Sequence, residues 1–138
     1  MMRRIVIVTH RTFAKGLADS LNFFSNQGDK ITAINAYVED NNFPAERIAK
    51  LFANFGTDDE VIIMTDILSG SVTQKMYSYM NDHTFLVSGV NLPLALSLIL
   101  IPENERLTLE KIQQLIQESK QQIILVNQQQ GTTDDEDE

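Results

Sequence analysis

The 138-residue chain contains no cysteine, so a disulfide framework, a thiolate nucleophile and a cysteine-ligated zinc site are all excluded. It has only two histidines, far apart at positions 10 and 83, which leaves no closely spaced pair for a metal. No apolar run approaches the roughly 18 residues that a membrane span needs. The longest candidate, LPLALSLILIP at 92–102, is short and carries Pro93. There is no Walker-type phosphate loop, no G-x-G-x-x-G and no internal repeat. The start MMRRIVIVTHRT has two arginines but no small-residue cleavage site after them, so no targeting signal is read and the cytosol is the expected compartment.

Positive charge is also scarce, with 11 Lys and Arg against 19 Asp and Glu and a net charge of -8. Such a chain would be repelled by nucleic acid, and no nucleic-acid partner is expected. Much of the excess is local, because Asp134, Asp135, Glu136, Asp137 and Glu138 close the sequence. Setting those five aside leaves 11 basic against 14 acidic side chains, a net -3. Residues 128–138 are therefore expected to be a solvated, disordered acidic tail after one domain over 1–127.

Within that domain short apolar runs alternate with helical stripes. IVIV at 5–8 predicts a buried strand, and Phe13, Leu17, Leu21 and Phe24 then recur as one helix face, closed at Gly28. ITAINAYV at 31–38 predicts a second strand. Ile48, Leu51, Phe52 and Phe55 mark a second helix between Pro44 and Gly56. VIIMTD at 61–66 is the third strand, followed by a helix from Ser71 that can bury Val72, Met76 and Tyr79 or Met80. TFLVSG at 84–89 is the fourth strand, with helices expected over 93–101 and around Leu109, Ile112 and Ile116. QQIILVN at 121–127 reads as a final edge strand, antiparallel or exchanged with a second subunit. Strands separated by helices imply an α/β fold, an open and mostly parallel sheet with helices on both faces, expected in the order 2-1-3-4.

That order brings chemistry to one sheet edge. In open parallel sheets ligands bind beyond the carboxyl ends of the strands, where neighbouring crossovers leave on opposite faces. His10 ends strand one, Asp66 ends strand three and SGS at 69–71 opens the next helix. A carboxylate on one imidazole nitrogen fixes the tautomer and leaves the other nitrogen as a nucleophile. Gly70 and Ser71 offer backbone N–H groups and a hydroxyl to an anion, a phosphoryl group above all. Taken singly, His10 could be a hydrogen-bonded structural histidine, Asp66 a turn cap, SGS an ordinary helix start and GVNLP at 89–93 a turn into a helix. His83, in a polar stretch before strand four, is expected at the far end of the sheet.

IVIVTH, MTDILSGS and GVNLPLAL together resemble the IIA domain of the mannose family of the bacterial phosphoenolpyruvate-dependent sugar phosphotransferase system (PTS), over about residues 3–127. The resemblance implies a phosphocarrier in which His10 accepts a phosphoryl group from HPr and passes it to a IIB component, with Asp66 orienting His10 and Ser71 steadying the phosphoryl oxygens. It implies no cofactor, contact with the membrane only through IIC and IID components, and a homodimer to which the last strand contributes. Two positions depart from the family pattern. Arg11 stands where glycine is common and could contact the phosphoryl group, and Ser69-Gly70-Ser71-Val72 stands where Gly-Gly-Ser-Pro is common. The alternatives are the phosphocarrier subunit of a dihydroxyacetone kinase system and a regulatory module that only binds a partner.

Overall fold

The structure is a computed structural model, and it describes residues 2–38 and 40–129. Four parallel strands, β1 (Arg3–His10), β2 (Ile31–Ala36), β3 (Glu60–Thr65) and β4 (Thr84–Val87), form one sheet in the expected order β2-β1-β3-β4. Between and after them run α1 (Phe13–Ser25), α2 (Ala45–Ala53), α3 (Ser71–Met76), α4 (Leu92–Ile99) and α5 (Leu109–Lys120).

Alternation along the strands divides the core into two layers, because successive side chains point to opposite faces. Ile5, Ile7, Ile62, Met64 and Phe85 pack under α1, α4 and α5 with Leu17, Leu21, Leu98 and Ile112. Val6, Val8, Ile34, Val61 and Ile63 pack under α2 and α3 with Ile48, Val72 and Met76. β3 is buried along its whole length, which is why it reads as an unbroken apolar run. Each fully buried Ile, Leu or Met contributes about 1.5–3 kcal/mol through removal of apolar surface from water. The amino end of the sheet is fastened by a buried ion pair, Arg3 Nη2 to Glu60 Oε1 at 2.9 Å. The same guanidinium donates to the carbonyls of Ile101, Pro102 and Glu105, tying the α4–α5 connection down.

Five expectations are corrected. The buried face of α1 is Ala14, Leu17 and Leu21, while Phe13 and Phe24 lie exposed. α1 ends on the left-handed Asn26, not at Gly28, and α2 ends at Asn54, before Gly56. In α5, Ile112 is buried but Leu109 is exposed at the first turn. Finally, residues 121–127 add no strand to this chain's own sheet: 123–125 have no regular structure and 126–129 make one helical turn. A strand needs a neighbour to satisfy its N–H and C=O groups, and this segment pairs with neither edge strand, β2 or β4, of its own chain. Residues 130–138, which hold most of the expected tail, lie outside the described residues.

Candidate functional site

The β1–α1 crossover covers one face of the sheet and the β3–α3 crossover the other, so the gap between the carboxyl ends of β1 and β3 is the switch point. His10 and Asp66 meet there. Asp66 Oδ2 accepts from the His10 backbone N–H at 2.9 Å and lies 3.0 Å from His10 Nδ1. Asp66 Oδ1 accepts from the Ile67 N–H at 3.0 Å. Burial pushes the Asp66 carboxyl up, but the His10 N–H, the His10 ring and the Ile67 N–H outweigh it and hold the pKa below the ordinary aspartate range. An ionised carboxylate can only accept, so Nδ1 donates to it, and in the neutral ring Nε2 is then the nitrogen with the lone pair.

Gly70 is required by close approach. A Cβ there would lie 2.8 Å from His10 Cε1 and 3.0 Å from Ile67 Cγ1, so a side chain at this position would force the imidazole or the loop to shift. Gly70 is also the N-cap of α3, and no side chain caps that helix. α1 and α4 start at the same edge but are closed. Thr9 Oγ1 and Asn35 Oδ1 take the N–H groups of Ala14 and Lys15, and Asn91 Oδ1 takes that of Leu94. The first turn of α3, like that of α2, carries no side-chain cap, and it starts at Gly70 beside the His10 ring. Behind them Thr73 Oγ1 donates to the Ile67 carbonyl at 2.7 Å and lies 2.8 Å from Thr65 Oγ1. This buried pair fixes the loop that carries Asp66 to Ser71.

The GVNLP segment is a built turn. Gly89 has φ 75, the Val90 N–H donates to the Thr65 carbonyl, and Pro93 sits in the first turn of α4 behind the Asn91 cap. Ser71 is exposed, with its Oγ 2.8 Å from the hydroxyl of Tyr37. Arg11 takes a left-handed φ of 55 and donates from Nη1 to the Tyr37 carbonyl at 2.8 Å. A left-handed backbone at this position favours glycine, which accounts for the usual glycine of the motif. His83 lies at the amino end of the sheet with Nδ1 2.9 Å from the Asp59 carbonyl, away from the site.

Sequence reasoning missed Tyr37. Its ring centroid stands 5.5 Å from that of His10, and its backbone is also left-handed, with φ 62. The available signal was its place directly after strand two, which the register His10↔Ala36 sets beside His10.

The site is a surface rather than a deep cleft. The His10 side chain is 32% exposed, and the segments that follow β1, β2 and β3 carry the exposed apolar residues Phe13, Val38, Ile67 and Leu68. Such residues suit contact with another protein. Among the described residues no helix is long and apolar enough to cross a membrane.

Residues 4–117 match the family described as PTS system fructose IIA component. Among solved structures, the chain is similar to a protein from Klebsiella pneumoniae subsp. pneumoniae MGH 78578 provisionally described as a phosphoenolpyruvate-dependent sugar PTS permease. The two are 32% identical over 93% of each chain, with a TM-score of 0.83. The PTS IIA protein associated with the fucose utilization operon of Streptococcus pneumoniae shares the fold at 23% identity, covering 94% of this chain and 96% of its own, with a TM-score of 0.70. So does the mannose/sorbose specific IIA subunit of Enterococcus faecalis, at 18% identity, 91% and 95% coverage and a TM-score of 0.69. No curated protein sequence matches. The contact of Asp66 with His10 at the switch point of a 2-1-3-4 sheet accompanies a family match over residues 4–117, most of the chain, and the chain belongs to the fructose IIA family of the sugar phosphotransferase system.

Proposed function

We infer that the chain is a phosphocarrier that receives a phosphoryl group on His10 Nε2 from phospho-HPr and hands it to a IIB component. The observation that carries this reading is the double contact of Asp66 Oδ2 with His10, which leaves Nε2 as the free nucleophile at an exposed edge. The Nε2 lone pair forms a bond to phosphorus as the N–P bond of the donor phosphohistidine breaks, and the electron pair returns to the donor ring. The Asp66 carboxylate stabilises the positive charge that the His10 ring acquires. Ser71 and the amides at the start of α3 are the groups that would receive the phosphoryl oxygens, with Arg11 beside them. Transfer to IIB is the same step reversed, so neither nucleotide nor metal is required.

The same reading includes a homodimer. β4 is an edge strand, and a groove of about 770 Å³ lined by Phe85, Leu86, Val87, Ile112 and Ile116 runs between it and α5. Ile123, Ile124, Leu125 and Val126 are 44–76% exposed in the single chain. Pairing of this segment with the β4 edge of a second copy would cover both surfaces.

The test is to mix the protein with phosphoenolpyruvate, enzyme I and HPr and to locate the label by mass spectrometry at alkaline pH, where a phosphoramidate survives. Label is expected in wild type and His83→Ala and not in His10→Ala. Label that persists in His10→Ala, or never forms in folded wild type with an active donor chain, rejects the reading.

A further inference from the structure

We propose that Tyr37 is a positioning residue of the phosphoryl site, acting through Ser71 to aim one hydroxyl proton at a phosphoryl group on His10. The proposal rests on the phosphocarrier reading above and adds a residue that the sequence motifs do not contain.

Three observations converge on it. Tyr37 is the first residue beyond β2, and its φ of 62 is a conformation that side-chain-bearing residues rarely adopt. Both peptide groups around it are held from β1's exit, the Ala36 carbonyl by the Arg11 N–H at 2.8 Å and the Tyr37 carbonyl by Arg11 Nη1 at 2.8 Å. Held in this way, the side chain reaches back across β1. Its ring lies 5.5 Å from the His10 ring at an interplanar angle of 33°, and its hydroxyl lies 2.8 Å from Ser71 Oγ at the start of α3. Tyr37 therefore joins the ends of three strands' connections directly beside the nucleophile.

Counting protons gives the function. Tyr37 and Ser71 have two hydroxyl protons between them, and their mutual hydrogen bond uses one. With Tyr37 donating to Ser71 Oγ, the Ser71 hydroxyl keeps its own proton free for an external acceptor. A hydroxyl that is already accepting is polarised and becomes a better donor, and fixing its oxygen removes the reorganisation that a lone exposed serine would undergo. The acceptor beside this pair, once the Nε2–P bond has formed and the donor's N–P bond has broken, is a phosphoryl oxygen. Tyr37 also packs beside Phe43, with ring centroids 6.3 Å apart, so a purely structural role is the competing explanation.

Tyr37→Phe keeps the ring and deletes the hydroxyl, and a cycle with Ser71→Ala separates the two explanations. Phosphorylation kinetics with phospho-HPr as the variable substrate should show kcat reduced about fivefold to tenfold in Tyr37→Phe, the worth of one neutral hydrogen bond, with KM unchanged. In the Ser71→Ala background the same change should cost less than twofold, because residues acting through one another are not additive. The unfolding midpoint of Tyr37→Phe should stay at the wild-type value. Wild-type kcat in Tyr37→Phe, full multiplication of the two losses in the double variant, or a loss that tracks reduced folded content would each overturn the role of Tyr37 while leaving His10 as the carrier. Wild type that never becomes phosphorylated on His10 would overturn both.

Discussion

One oxygen of Asp66, Oδ2, holds both the backbone N–H and the ring Nδ1 of His10, at 2.9 and 3.0 Å. The carboxylate thus fixes where the histidine sits and which ring nitrogen is free. In Asp66→Asn an amide oxygen in the place of Oδ2 can still accept from both, but the NH2 then replaces the acceptor of the Ile67 N–H, and a neutral amide does not stabilise a ring cation. Phosphoryl transfer is expected to fall by at least tenfold with the fold intact. Stopped transfer measurements at equal folded content check this, and wild-type rates would remove Asp66 from the mechanism.

Gly70→Ala tests the packing of the loop on the imidazole. The added methyl would meet His10 Cε1 at 2.8 Å, backed by Ile67, so the ring or the loop must shift. Transfer should drop while stability falls by only about 1 kcal/mol, since the loop is at the surface and can give. Denaturant unfolding and transfer rates measured on the same preparation separate the two effects. An unchanged rate would show that the ring is not held here.

Acid stability follows from two aspartates. The Met2 N–H, the Gly56 N–H and Arg4 hold the Asp59 carboxyl below its ordinary value against the opposing effect of burial, and Asp66 is held low by His10 and Ile67 against its own burial. A depressed native pKa means that the unfolded chain binds protons first as pH falls. The stabilisation is therefore complete above the ordinary value of 3.8 and is lost as pH drops from there through the depressed values. Asp66→Asn should flatten this acid limb in urea unfolding measured between neutral pH and the acid range. A parallel limb in the variant would contradict it.

Arg11→Gly should be nearly neutral for stability. It relieves a left-handed residue, worth about 1 kcal/mol, and loses one hydrogen bond to the Tyr37 carbonyl of similar worth. If the guanidinium also reaches the phosphoryl group, phosphohistidine should hydrolyse faster in the variant. Equal lifetimes in wild type and variant would confine Arg11 to its contact with Tyr37.

Assembly is tested by truncation. Removing residues from Gln121 onward should abolish dimer formation by taking away the exposed Ile123 to Val126 segment, whereas removing those after Gln130 should do little. Light scattering at micromolar concentration is the measurement, and a monomeric full-length protein would count against the exchanged strand.

The sequence by itself determined the alternation of strands and helices, and with it the edge where His10, Asp66 and Ser71 gather. Hydrophobic period is a local property, and crossover connections constrain parallel strands so strongly that few orders remain. It also marked the GVNLP turn, because Gly89, Asn91 and Pro93 each do there what their backbone chemistry favours. Only the tertiary structure decided which helix residues face the sheet, turning Ala14 inward and Phe13 outward, because that depends on how closely α1 approaches its neighbours. It also decided the fate of 121–127, whose apolar pattern suits a strand but which pairs with no strand of its own chain. Tyr37 belongs to the same class. Its left-handed backbone and its reach over His10 to Ser71 come from contacts between residues far apart in sequence, and no local pattern encodes them.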